Sequence, residues 1–363
     1  MKRVLVCNLT PRGGMLHYAS QFCNELSLRG DISLKVAIAP YHKNTLYHKN
    51  ISFIKIRTHP DLKNFIFDSL NIFYQIYFLS KIIIFRPQIV HFMDNHPWYI
   101  PYVYVFKLFG VEVFTTQHDP TLHSGEAKSL TGKIAGYTNA VLRKKSDKLI
   151  VHGDILKTEV IKKYHIPAEH IISIPHGAYT FFSQYAQGLA VQKNTFLFFG
   201  RILDYKWLDV LLHALEYVKN QIPDFHLIIA GPGDISAYQE MIQKYEDNIE
   251  LYNFHIEAED AYKYFEISEF VVLPYKDASG SGVIPVAYCF KKPVLVTDVW
   301  ELSSVVLEWK TGYIIAPNNV KLLWEKIVEM LGDTRKLQEM WESGYEFSLK
   351  ELSWKPIIDK IYS

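Results

Sequence analysis

The sequence predicts an α/β protein of two tandem doubly wound, Rossmann-like domains with a cleft between them. Three observations carry that expectation. The chain has 363 residues, enough for two domains that each bury a core. Its strand-like runs are apolar throughout, as in a parallel sheet covered on both faces. Helical stretches separate those runs, and the alternation starts twice.

The first series opens at "RVLVCNL", passes a helical stretch at 18–28, and reaches "SLKVAIA". The opening "MKRVLVCNL" carries two basic residues before an apolar run too short for a secretion signal, and reads as the first strand. Segment 64–85, "NFIFDSLNIFYQIYFLSKIIIF", has the length of a membrane span but is interrupted by Asp68, Asn71, Gln75 and Lys81. Those polar groups favour a buried or surface-lying helix over a spanning one. The series continues through "QIVHFM", "YVYVFKLFG", "VEVFTTQHD" and "KLIVHG". After a polar break at 187–194 it restarts at "FLFFG" and runs through "HLIIAG", "IELYNF", "FVVLPY" and "PVLVTD", with helical stretches at 207–218, 238–245, 262–266 and 284–290. The expected domains are therefore 1–186 and 187–345.

Composition narrows the function. Hydrophobic residues make up 49% of the chain, so disorder is not expected. A formal net charge of +1 argues against a nucleic-acid partner. Cys7, Cys23 and Cys289 lie in apolar segments without metal or disulfide spacing, which suits reduced thiols in a cytoplasmic protein.

In open α/β sheets ligands bind beyond the carboxyl ends of the strands, and there the unusual residues gather. In "VVLPYKDASGSGVIPVAYCFKKPVLVTD", 271–298, Gly280, Ser281 and Gly282 separate two apolar runs, and Pro285 falls in a short helix's first turn. Exposed N–H groups at a helix start, with the positive end of its dipole, make an anion site; a tight turn is the other reading. In "FFGRILDYKWLDVLLHAL", Gly200 ends a strand, and Arg201 and Lys206 precede an amphipathic helix. Two cations there suit a diphosphate. The Gly231-Pro232-Gly233 turn of "HLIIAGPGDISAY" is a weak dinucleotide signal, with Ser236 in the third glycine position. "SLTGKIAG" is not a phosphate loop, lacking the earlier glycine and a hydroxyl after Lys133.

Gly13 and Gly14, between the first strand and its helix, would let a ligand approach the backbone or form a plain turn. "VFTTQHDP" places His118 and Asp119 past a buried strand, where a histidine can hydrogen-bond a sugar or move protons. His91, His152 and His176 also follow strands, so position does not single His118 out. Between Lys128 and Lys163 nine Lys or Arg face three acidic residues. A solvated helix face accounts for such a run, and anionic lipid headgroups would also be drawn to it.

In order, "GGMLHYASQFCNELSLRG", "RPQIVHF", "QHDP", "IPHGAY", "FFGRILDYKWLDVLLHAL", "LIIAGPGD", "FVVLPY", "KKPVLVTD" and "TGYIIAP" resemble the GT-B glycosyltransferases. Within them the likeness is to the retaining, nucleotide-sugar-dependent family 4, or group 1, enzymes, and it covers almost the whole chain. "LSWKPIIDKIY" is similar to the family's last helix, which implies that about 346–363 completes the first domain. The resemblance implies that Arg201 and Lys206 hold the donor diphosphate with help from backbone at Gly14, that His118 contacts the transferred sugar, and that Phe254, His255 and Ile256 receive the base. It also implies that Ser281, Gly282 and Val283 offer N–H groups to the phosphates. Where the family places two glutamates this chain has Ala278 and Val286. Asp277 is a substitute for the first, and none is evident for the second.

The activity this implies is transfer of a hexose, with retention, from a nucleoside diphosphate sugar to a glycan or lipid-linked glycan in polysaccharide biosynthesis. UDP-glucose is the favoured donor and GDP-mannose the alternative. No paired carboxylates or aspartate pair of the DxD kind is evident, so no metal or other cofactor is implied. The rival expectations are a nucleotide-sugar 2-epimerase and a non-catalytic nucleotide-sugar binder. The expected location is cytoplasmic, with contact to the inner face of the membrane through 128–163.

Overall fold

A computed structural model describes residues 1–10, 14–40, 44–59, 62–120 and 130–363. The chain divides into two compact units, Met1–Gly177 with Trp354–Ser363, and Ala178–Ser353.

In the first unit the described residues form a parallel sheet of β1 (Lys2–Asn8), β2 (Ile32–Ile38), β3 (Ser52–Lys55), β4 (Ile89–Phe92), β5 (Glu112–Thr116), β6 (Lys148–His152) and β7 (Ile171–Ile174). Its order is β3-β2-β1-β4-β5-β6-β7. The apolar runs are central strands because both faces are covered: Val4, Leu5 and Val6 are fully buried. The connecting helices include α1 (Gly14–Leu26), α2 (Leu62–Leu70), α3 (Ile72–Phe85), α4 (Tyr99–Leu108), α5 (Leu130–Lys145) and α6 (Asp154–Tyr164). Segment 64–85 is thus two helices rather than one. Asn71 separates them, its side-chain oxygen accepting from Phe73 N at 3.2 Å as an N-cap. Among the described residues no helix is long and apolar enough to cross a membrane.

The second unit holds β8 (Thr195–Phe199), β9 (His226–Ala230), β10 (Ile249–Tyr252), β11 (Phe270–Leu273), β12 (Val294–Thr297) and β13 (Gly312–Ile315), again parallel, in the order β10-β9-β8-β11-β12-β13. Its helices include α7 (Leu208–Gln221), α8 (Gln239–Lys244), α9 (Tyr262–Phe265), α10 (Val283–Cys289), α11 (Val320–Gly332) and α12 (Thr334–Glu351). α7 and α11 cover one face, where Leu208, Leu211, Leu215, Leu323 and Ile327 join Phe196 and Phe198 in one buried cluster. Cutting a leucine such as Leu211 to alanine there costs about 2–5 kcal/mol.

The division falls earlier than the polar break suggests, after Gly177 rather than 186. The cause is packing onto the second unit. Cys289 Sγ lies 3.8 Å from Thr180 O, and the Glu266 carboxylate accepts from the N–H groups of Gln187, Gly188 and Leu189. The return likewise begins at Trp354, not at about 346. α12 stays with the second unit because Gly344 lies against Tyr288, so close that a Cβ would be 2.8 Å from its ring. The final helix, α13 (Trp354–Ile361), buries Trp354, Ile357, Ile358 and Ile361 on one stripe in the first unit. There Tyr362 Oη is 2.8 Å from His91 Nδ1. Gly177 lies under the Trp354 indole, 2.4 Å from where its own Cβ would be, so that position admits no side chain.

Candidate functional site

Each sheet has one place where neighbouring strands send their connections in opposite directions, and ligands bind there beyond the carboxyl ends. In the second unit this is between β8 and β11. The loops that flank it hold the two predicted phosphate elements, Arg201 with Lys206 and the turn 280–283. The structure brings them together around Gly200. A Cβ on Gly200 would lie 2.9 Å from Lys206 Nζ and 3.7 Å from Val283 Cγ2, and its φ of +103° is one that side chains disfavour. Glycine is therefore needed both for the backbone turn and for the space the ammonium occupies.

Lys206 is 7% exposed, and its ammonium lies 4.9 Å from the Tyr275 ring centre. Burial, and then the neighbouring Arg201 cation, push its pKa down to about 7. A buried ammonium beside a second cation is poised for an anion, which would restore the charge balance. Arg201 is exposed at the mouth of this turn. A backbone bond from Lys276 N to Tyr205 O at 2.7 Å ties the two loops together. Gly282 caps α10, Val283 N donates to Ser281 Oγ of its own loop, 3.2 Å away, a bond that any other acceptor at that N–H must displace, and Pro285 stands in the first turn.

The neighbouring loops continue this surface across the sheet. Ile202 N donates to Pro232 O at 2.8 Å, and Asn253 pairs with Gly233 in both directions, at 2.9 and 3.1 Å. The loop after β10 is thus held beside the turn at 200–206 by way of the loop after β9. It carries Phe254, His255 and Ile256, with Phe254 54% exposed. Asp277 is half-buried, while Ala278 and Val286 are shut off from water at 1% and 6%. The positions where the family has glutamates are packing positions in this chain.

The first unit's switch point lies between β1 and β4. Gly13 lies outside the described residues. Gly14 opens α1, is exposed, and has open space where a Cβ would stand. Asp94, after β4, accepts from Thr10 N and Thr10 Oγ1, both at 2.6 Å, and from Tyr99 Oη, so the two loops are clasped. Burial pushes its carboxyl pKa up. Beside it opens a cleft of about 300 Å³ whose lining includes Leu9, Thr10, Thr58, Asn95, His96 and Ile134. Asn95 donates to Ala135 O at 2.9 Å, and its buried Oδ1 has no hydrogen-bond partner among the described residues.

His118 follows β5. Its Nε2 is 3.0 Å from Met93 O, and its Nδ1 is 3.0 Å from His152 Nε2. A carbonyl can only accept, so Nε2 of His118 donates, and its Nδ1 accepts from His152. Burial holds both rings below the usual histidine range, and so neutral. Contact with a sugar through this ring requires exchange of one of those two bonds. His176 and Tyr18 complete the cluster, with ring centres of His152 and His176 5.1 Å apart and of Tyr18 and His118 4.6 Å apart. Among the described residues no group of His, Cys, Asp and Glu is arranged to hold a metal.

Sequence reading did not find Tyr275, Asn253, Asn95 or the role of His152. Each owes its part to a neighbour distant in the chain, such as the 34 residues between His118 and His152, and no local motif marks it.

Comparisons with known proteins agree with this architecture. The family described as "Glycosyltransferase Family 4" matches residues 12–180, and "Glycosyl transferases group 1" matches 182–347. The chain is 27% identical over 250 residues to an uncharacterised glycosyltransferase of Methanocaldococcus jannaschii, a match covering 66% of this chain and 66% of that protein. Another match, to a D-inositol 3-phosphate glycosyltransferase of Jonesia denitrificans, spans 42% of that relative's length and 47% of this chain at 27% identity. Among solved structures, sucrose-phosphate synthase from Thermosynechococcus elongatus superposes with a TM-score of 0.78 at 17% identity, covering 100% of this chain and 98% of that one. The Anabaena protein HepE, in complex with UDP-glucose, gives 0.73 at 14% identity, covering 100% and 99%. The chain belongs to the group 1, family 4-like glycosyltransferases, enzymes of the GT-B fold.

Proposed function

We propose that this enzyme moves a hexose from a uridine diphosphate sugar, with UDP-glucose favoured, to a hydroxyl of a glycan or lipid-linked glycan, retaining the anomeric configuration. The observation that carries the reading is the buried ammonium of Lys206, set beside Arg201 at the switch point of the second sheet. That the Anabaena structure holds UDP-glucose supports the choice of donor.

In this reading Arg201, Lys206 and the N–H groups of Ser281, Gly282 and Val283 neutralise charge growing on the departing diphosphate. Phe254, His255 and Ile256 receive the base, and Asp277 the sugar hydroxyls. By resemblance, Gly14 offers backbone to the diphosphate and His118 serves the sugar. The leaving phosphate oxygen takes the acceptor's proton as attack comes from the same face. The cleft beside Asn95 receives the acceptor, its free amide oxygen accepting from a hydroxyl. The chemistry proceeds without a metal, on the cytoplasmic side of the membrane, with 128–163 drawn to anionic headgroups.

The test is a thermal-shift series across nucleoside diphosphate sugars, followed by product analysis with and without chelator. Stabilisation by UDP-glucose ahead of GDP-mannose, and turnover unaffected by chelator, is expected. Conversion of donor alone into its 2-epimer would replace the reading with isomerisation. Tight binding without hydrolysis or transfer on any glycan acceptor would make the protein a binder only.

A further inference from the structure

In the first unit α3, α4 and α5 form one layer, since Phe78 and Ile82, Tyr102 and Phe106, and Leu142 share a buried cluster with the strands. α3's inner stripe accounts for its buried residues, Phe78, Ile82 and Phe85. The opposite stripe should then be polar, and it is not. Phe73, Ile76, Ile83 and Ile84 point out of the fold, joined by Phe67 and Leu70 of α2; Leu70 and Phe73 leave 79% and 77% of their surface exposed. At the end of α4, Leu108 is 82% exposed.

A helix apolar on both faces belongs in a core or at a lipid phase. α3 has 14 residues and so extends about 21 Å, against about 30 Å of hydrocarbon, and it cannot cross a bilayer. It can lie in the interface, outer face down.

Charge selects the occupant. α3, α4 and α5 contain no aspartate or glutamate, but hold Lys81, Lys107, Lys133, Arg143, Lys144 and Lys145, and the acid of α2, Asp68, is 1% exposed and paired with Arg57 and His59. Arg143 is used internally, donating to Gln117 Oε1 and Pro120 O over the Tyr164 ring. Lys107 is paired with Asp147, and Lys145 stands 5.1 Å from the exposed Tyr104 ring. Lys81, Lys133 and Lys144 are exposed. A second copy of this chain would set like charges against like across such a face, whereas anionic headgroups complement it.

We propose that the outer face of α2, α3 and α4 is a membrane-docking surface that inserts its apolar side chains into a bilayer bearing anionic lipid. It adds an apolar anchor that the basic run 128–163 does not contain, and it stands independently of the donor reading. The test is flotation of the full chain with vesicles of phosphatidylcholine, with and without phosphatidylglycerol. Partition to the mixed vesicles is expected, about tenfold weaker with phosphatidylcholine alone or in high salt. The variant Phe73→Ser/Ile76→Ser/Ile84→Ser is expected to lose at least about tenfold in partition. Its circular dichroism and its thermal shift with UDP-glucose, measured without vesicles, should match the parent, because the changed residues are exposed. Unchanged partition of the variant, or no partition of the parent, overturns the proposal. So does a parent dimer that the variant abolishes, which would assign the face to self-association. Loss of the UDP-glucose shift in the parent with flotation retained would overturn the donor reading and leave this one standing.

Discussion

The two switch points, β8/β11 in the second unit and β1/β4 in the first, share a topology and differ in chemistry. The second is cationic, cut to shape by a glycine, with Lys206 shut away from water beside Arg201. The first is clasped by Asp94 and lined by hydroxyl, amide, imidazole and apolar groups, with neutral histidines at the neighbouring strand end. The same parallel topology therefore carries two chemically different surroundings, and the loops decide which. Burying positive charge makes sense only where a strong anion arrives to offset it, whereas hydroxyl and amide groups suit an uncharged acceptor.

The largest effect should come from removing the buried charge. Lys206→Ala is expected to lower kcat/KM by about a thousandfold, roughly 4 kcal/mol, with circular dichroism unchanged. Steady-state kinetics decides it, and full activity would end the contrast between the two sites.

Gly200→Ala comes next. The added methyl meets the Lys206 ammonium at 2.9 Å on a backbone with φ +103°, so both must shift. Donor affinity is expected to fall on the order of thirtyfold, with a stability loss of about 1–3 kcal/mol, read by calorimetry and thermal unfolding.

Acidity sharpens the comparison. Burial and the Arg201 cation hold the Lys206 pKa down to about 7, and a diphosphate bound beside it would raise that pKa. Affinity for UDP-glucose should thus be full below pH 7 and decline as the pH rises through it, by up to about tenfold per unit. Titration calorimetry across pH 6 to 9 measures the slope, and Lys206→Arg should flatten it; equal affinity throughout would contradict a buried, depressed ammonium. The smallest effect belongs to the cleft of the first unit. Asn95→Ala should raise the acceptor KM by about three- to tenfold and leave the donor Kd unaltered, so a changed donor Kd would show that the two sites are not chemically separate.

What the sequence determined by itself was whatever nearest neighbours in the chain encode. Runs such as "RVLVCNL" and "FLFFG" had to be central parallel strands, because residues apolar on both faces need cover on both. Gly200, Arg201 and Lys206 were legible as a candidate anion site because strand end, turn and cations lie within seven residues. Tertiary structure decided the rest. Only packing shows that Gly200 is hollowed out for the Lys206 ammonium, that His152 donates to His118, and that 178–186 joins the second unit. The apolar length of 64–85 could be read from the sequence, but its break at Asn71 and its bare outer face could not. The physical reason is that periodicity reports which residues share a face, while burial, tautomer and pKa depend on groups that folding brings in from far along the chain.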